Sequence, residues 1–174
     1  MDLRYPIGKY EAKSALTPEE RHIAVEYIAH TPDRVRSAVA GLAPDQVEAR
    51  YRPGGWTINQ IIHHLSDSHM NAYVRFKLAL TEEEPTIKPY DEARWAELPD
   101  SWKTPVEVSI ALLDALHKRW VVLLRCMRDE DFARRVNHPE RGIITLDYML
   151  ASYAWHGRHH VAHITSLRGR KGWV

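Results

Sequence analysis

The stretch Thr57-Ile58-Asn59-Gln60-Ile61-Ile62-His63-His64-Leu65-Ser66-Asp67-Ser68-His69-Met70-Asn71-Ala72-Tyr73-Val74-Arg75-Phe76-Lys77-Leu78-Ala79-Leu80 contains neither glycine nor proline. Thr57 with Gln60 three residues on forms a capping box, in which each side chain satisfies a backbone N–H of the other. Ile58, Ile61, Ile62, Leu65, Tyr73, Phe76 and Leu80 then return at helical spacing. The segment reads as roughly six turns of amphipathic helix.

Three other segments carry the same signals. Thr17-Pro18-Glu19-Glu20 is a capping box with proline at the first helical position. The helix it opens carries Ile23, Tyr27, Ile28, Val35, Val39 and Leu42 and reaches about Ala40, before Gly41. Pro32 lies inside it and predicts a kink or a break around Thr31. Thr104-Pro105-Val106-Glu107 reads as a third cap of this kind, opening a helix through Val108, Leu112, Leu116, Trp120, Leu123 and Leu124 to about Arg128. Thr145 caps a last helix over 146–168, stopping at Gly169. The connections are a Pro/Gly-rich loop over 43–55, a segment over 82–103 with Pro85, Pro89, Pro99 and a short helix at 91–98, and a loop over 129–144 with an extended piece near Ile143. Four such helices with no alternating strand pattern make an all-α, four-helix bundle with long connecting loops. At least one connection is long enough to cross the bundle rather than form a tight hairpin. Without repeats, low-complexity tracts or a shift in composition, residues 1–174 read as one domain.

Composition narrows the function classes. The 174 residues hold 24 Lys+Arg against 23 Asp+Glu, a net charge of +1, which removes the broad field that non-specific nucleic-acid binders need. The basic end, Arg168, Arg170 and Lys171, reads as a solvated helix terminus. No apolar run approaches a membrane span and no signal peptide is apparent, so no nucleic-acid or membrane partner is expected. A single cysteine, Cys126, rules out an internal disulfide, fits a reducing cytoplasm and reads as a core residue among apolar neighbours.

Histidine is the outlier, with 11 in the chain, seven of them in the windows 63–69 and 156–163. His156 and His160 lie one helical turn apart on one face, about 6 Å along the axis, the spacing that lets two imidazoles grip one divalent ion. A third ligand from a facing helix leaves a coordination position open for water. His63 and His64 are the natural suppliers, and they differ by about 100°, so only one faces the bundle axis. Spacing leaves both open, and it equally permits a 159/163 pair in place of 156/160. Taken singly, a buried histidine is more often a hydrogen-bonded core residue than a ligand. Two clusters on two bundle helices turn that balance toward a shared ion. His22, His30, His117 and His138 lack such neighbours and read as surface or supporting residues. Trp56, Tyr73, Trp120, Tyr153 and Trp155 read as packing, with one or two free to line a pocket.

The residues resemble a known family. Tyr5-Pro6-Ile7-Gly8, Tyr51-Arg52 with Gly54-Gly55-Trp56-Thr57, His63-His64-Leu65 through Asp67-Ser68-His69-Met70-Asn71, Arg75-Phe76-Lys77-Leu78, Lys88-Pro89-Tyr90-Asp91-Glu92 and Trp155-His156 through His159-His160-Val161-Ala162-His163-Ile164 are similar to the DinB-like superfamily, within it the YfiT type of metal-dependent hydrolase. The resemblance spans nearly the whole chain. It implies a four-helix bundle, a homodimer in the cytoplasm, and one divalent ion per subunit, zinc first and nickel second, held by His64, His156 and His160. It implies a supporting or pocket-lining role for His63, His69 and His159, and a structural one for His163.

The chemistry implied is hydrolysis of a small-molecule substrate by water activated at the ion. A general base is also wanted, yet Gly157 follows the first ligand of the last helix, where the metalloprotease motif has glutamate. Asp67, one turn from His64, and His159 are the candidates, and Asp67 serves equally well as a residue that fixes an imidazole tautomer. Two other functions compete: transfer of a low-molecular-weight thiol to an electrophile in detoxification, and a non-catalytic, metal-stabilised dimeric binding protein.

Overall fold

The structure, a computed structural model, describes residues 2–173. In chain order the elements are α1 (Pro18–Val39), α2 (Pro44–Val47), α3 (Ile58–Thr81), α4 (Glu92–Trp95), α5 (Asp100–Lys103), α6 (Val106–Cys126), α7 (Asp129–Phe132), β1 (Arg135–His138), β2 (Gly142–Thr145) and α8 (Leu146–Lys171). The long helices α1, α3, α6 and α8 form the expected bundle. Thr17 and Thr57 cap as expected, each Oγ1 accepting from the backbone N–H of Glu20 and Gln60, whose side chains accept in return. Thr145 caps α8 by accepting from Tyr148.

Helix α1 packs chiefly on α8 and α6, and α3 on α6 and α8. The helices joined by the two shorter connections, α1 to α3 and α6 to α8, therefore face each other across the bundle. The longest connection joins neighbours, because it builds a wall rather than a crossover. Its residues Pro85–Ile87 bond to Asn137 at the edge of β1, through Ile87 N–H to Asn137 O and Asn137 N–H to Pro85 O, both 3.0 Å.

Several local expectations are corrected. Helix α1 continues through Pro32 without a break. Thr104 does not cap α6; its N–H closes α5 on Asp100, and α6 starts after Pro105 with no side-chain cap. The 129–144 loop contains an antiparallel hairpin that pairs Arg135 with Thr145 and His138 with Gly142. Helix α8 runs past Gly169 to Lys171 and ends at Gly172, whose φ of 66° lies in the left-handed region that glycine tolerates. Arg168 and Arg170 are not merely solvated, since they donate to carbonyls of Ala38, Ala40 and Tyr51. Cys126 is exposed, because it continues the outward stripe of Val108, Leu112 and Val122 by one turn. Among the described residues no helix is long and apolar enough to cross a membrane.

The core is divided. One apolar cluster contains Ile28, Ala72, Phe76, Trp120 and Ala154, and a second contains Val35, Leu65, Leu113 and Ile164. Between these limits the inward-facing residues of the long helices include Thr31 and Pro32, Ser66, Ser68 and His69, His117, and His156, His159, His160 and His163. A layer of imidazoles thus replaces hydrocarbon at mid-bundle.

Candidate metal centre

Two of those imidazoles, of His156 and His160, meet a third, that of His64 on α3. One ring nitrogen each of His64, His156 and His160 lies within 4.8 Å of the others. His64 and His160 are buried and His156 is half-buried. His64 Nε2 stands 3.2 Å from His156 Nε2. Two nitrogens sharing a tetrahedral ion at ordinary Zn–N lengths are about 3.3 Å apart. Three neutral nitrogen donors on rigid helices suit zinc, nickel or copper, and the residues present fit such an ion. Burial drives the pKa of His64 down to about 4, and those of His156 and His160 well below the ordinary value, helped by the neighbouring rings. The rings are therefore neutral near pH 7, as ligands must be.

Helix geometry places each ring. His156 and His160 share a face of α8, which approaches α1 where Gly157 meets Thr31. His64 projects from α3 toward them, while His63 turns to α6 and places Nδ1 2.7 Å from Ser109 Oγ. Trp56 stands over the cluster, with ring centroids 4.6 Å from His64 and 6.2 Å from His160.

Behind His156 is a file of buried imidazoles. His156 Nδ1 lies 3.2 Å from His69 Nε2, His69 Nδ1 lies 2.8 Å from His117 Nε2, and His117 Nδ1 lies 2.6 Å from Ile28 O. His117, read from sequence as a surface or supporting residue, is fully buried. Its role had no local signal, since it depends on a partner on another helix. His163 is buried and donates Nε2–H to Arg4 O, under the stacked ring of Tyr51. His22 and His30 lie at the exposed surface.

In front of the cluster opens a cavity of about 380 Å³. His64, His156 and His160 line it together with His159, Trp56, Trp155 and Tyr153. The long connection contributes Tyr90 and Glu92, and the hairpin contributes Glu140, Arg141 and His138. His138, expected at the surface or in support, is buried on β1 and accepts from Glu140 N–H. Arg75 donates to the Tyr153 hydroxyl and Arg141 to that of Tyr148. Burial pushes His159 down to about 4. Asp67 is half-buried outside the cavity lining, and burial together with the Asp100 carboxylate raises it to about 6.

A family model described as the DinB superfamily matches residues 27–164. The chain belongs to the DinB superfamily. Among the relatives it resembles is a Bacillus cereus (strain B4264) protein named "Putative metal-dependent hydrolase", 54% identical over 172 residues, with 99% of each chain covered. A protein of the same name from Bacillus thuringiensis subsp. konkukian (strain 97-27) is 53% identical over the same length and coverage. Among solved structures, YfiT from Bacillus subtilis is described as "a probable metal-dependent hydrolase with an unusual four-helix bundle topology". It is 46% identical, covers 100% of both chains and superposes with a TM-score of 0.97. The diagonal connections seen here give this DinB superfamily member a bundle that is not a simple up-and-down one.

Proposed function

We propose that the protein is a metal-dependent hydrolase of a small molecule, with one divalent ion held by His64, His156 and His160. The observation that carries this is the convergence of three neutral imidazoles, two buried and one half-buried, at the floor of a cavity large enough for a small ligand. When bound, such an ion with an open position lowers the pKa of water toward 7 and polarises a carbonyl or phosphoryl group. Zinc is the first choice and nickel the second.

The chain supplies the surroundings. The cavity is roofed by the 82–103 connection and the hairpin, which limit water around a bound substrate. The Tyr153 hydroxyl, held by the Arg75 guanidinium, is a donor that can orient a polar substrate atom. For proton transfer, position comes before pKa. His159 lines the cavity, which places its ring beside a bound substrate and makes it the candidate general base. Asp67 has the better matched acidity but stands outside the cavity wall, which assigns it a supporting role.

A screen of ester and amide substrates with zinc or nickel tests this reading. Turnover that needs metal alone, and that falls at least a hundredfold in His160→Ala, is the expected result. Activity seen only with an added low-molecular-weight thiol and a chloro-aromatic acceptor would instead identify a thiol transferase. We also propose a homodimer, supported by the exposed apolar residues Val108, Leu112 and Val122 along α6. Sedimentation at micromolar concentration is expected to give twice the chain mass.

A further inference from the structure

The file of histidines behind His156 begins at an unusual carbonyl. In an α-helix the C=O of residue 28 accepts from the N–H of residue 32, but here residue 32 is proline and has no N–H. Because α1 nevertheless runs through Pro32, the carbonyl of Ile28 is left without its helical donor in the middle of the bundle. His117 Nδ1, from α6, fills that role at 2.6 Å.

A carbonyl only accepts, so this contact has a direction. His117 must carry its proton on Nδ1, which leaves Nε2 as an acceptor. That nitrogen meets His69 Nδ1 at 2.8 Å, so the His69 proton is on Nδ1 as well. His69 Nε2 is then the acceptor facing His156 Nδ1 at 3.2 Å, and the His156 proton must also be on Nδ1. With one proton per ring, one arrangement satisfies all three contacts. It leaves His156 Nε2 as a bare lone pair, and that is the atom 3.2 Å from His64 Nε2.

We propose that Pro32, His117 and His69 are positioning residues that set the tautomer of His156, so that Nε2 of His156 is presented to the cluster free of a proton. Ligating histidines commonly donate their other N–H directly to a carboxylate or a backbone carbonyl, which fixes the ring and raises its basicity. Here the carbonyl acts through two intervening imidazoles and spans three helices, α1, α6 and α3, before reaching α8. The file gives a use to His69 and His117, two fully buried histidines that do not line the cavity. It also gives a proline in mid-helix a use: its missing N–H exposes the acceptor on which the file is anchored.

The proposal rests on His156 being a ligand, and the test separates the two claims. Two-bond ¹H–¹⁵N spectra of the metal-free protein report the tautomer of each ring without any metal. The expected result is a proton on Nδ1 of His117, His69 and His156; a proton on Nε2 of any of the three overturns the file. Zinc affinity, measured by competition with a chromophoric chelator, is expected to fall roughly 10- to 100-fold in His117→Phe. His117→Gln, whose amide can donate to Ile28 and accept from His69 at similar spacing, is expected to recover most of the loss. Pro32→Ala gives Ile28 a competing helical donor and is expected to weaken zinc binding several-fold; unchanged affinity there overturns the part assigned to Pro32. Equal affinity in wild type, His117→Phe and His117→Gln overturns the positioning role even if all three bind zinc tightly. A wild-type protein that binds no zinc while showing the three Nδ1 protons contradicts the ligand assignment and leaves the tautomer file standing.

Discussion

Gly157 lies one residue after His156, at the point where α8 meets α1. A Cβ built there would sit 2.9 Å from Thr31 Oγ1 and 3.0 Å from Thr31 Cγ2. Thr31 cannot swing aside freely, since it is β-branched and its hydroxyl donates to Tyr27 O at 2.7 Å. Gly157→Ala is therefore expected to push the two helices apart and cost about 1–3 kcal/mol in urea unfolding. Adding Thr31→Ala, which removes both clashing atoms, should restore most of that loss. This also explains why the metalloprotease glutamate has no place here. The i,i+4 spacing of His156 and His160 was legible in the sequence, whereas spacing left His63 and His64 open and only the family resemblance pointed to His64. Helix α3 is buried on several sides, so both rings face protein and the apolar stripe does not distinguish them. The pairing of His69 with His117 was harder still, because it joins α3 to α6 and no spacing within one helix reports it.

At the scale of elements, the junction of α1 and α8 is clamped by charge. Arg21 Nε and Nη2 donate to Asp147 Oδ1 and Oδ2 at 2.7 and 2.8 Å, and Leu16 N–H donates to the same carboxylate at 3.0 Å. The Asp147 side chain is only 3% exposed and that of Arg21 14%, so this pair is shielded from solvent. Asp147→Ala leaves a largely buried guanidinium with only the exposed Asp129 carboxylate, and the Leu16 N–H without its acceptor, and is expected to cost about 3 kcal/mol. A smaller shift in the denaturation midpoint than about 1 kcal/mol would show that the clamp is solvated in practice. The four long helices were legible from their periodicity, and for α1, α3 and α8 the caps agree with it. The hairpin was not, because strands of four residues give too little alternation, and only the extended piece near Ile143 signalled it. Thr104 misled for a related reason: a Thr-Pro pair ends one helix as readily as it begins another.

For the whole molecule, the consequence of an imidazole layer between two apolar clusters is a core whose stability depends on pH. Burial holds His64 and His117 at about 4, against an ordinary value of 6.5. Below pH 6.5 the unfolded chain takes up protons that the folded one refuses. Stability of the chelator-treated protein should thus be level above pH 6.5 and fall as the pH drops from 6.5 toward 4, by about 1.4 kcal/mol per pH unit for each such histidine. Asp67, raised to about 6, works the other way: it favours the fold below its unfolded value near 3.8 and loses that contribution as the pH rises through 6. One carboxyl is outnumbered by the histidines, so the net slope is set by the rings. Urea midpoints between pH 7.5 and 5 check this, and a level profile would mean that the rings are solvated.

Within or beside this layer, among the described residues, only His64, His156 and His160 converge closely enough to share one ion. Metal content of the purified protein, measured by mass spectrometry after dialysis against metal-free buffer, tests that shared site most directly. One equivalent of a divalent metal per chain in the wild type, and almost none in a folded His64→Ala variant, is the result predicted. Full metal occupancy in His64→Ala would contradict the three-histidine site.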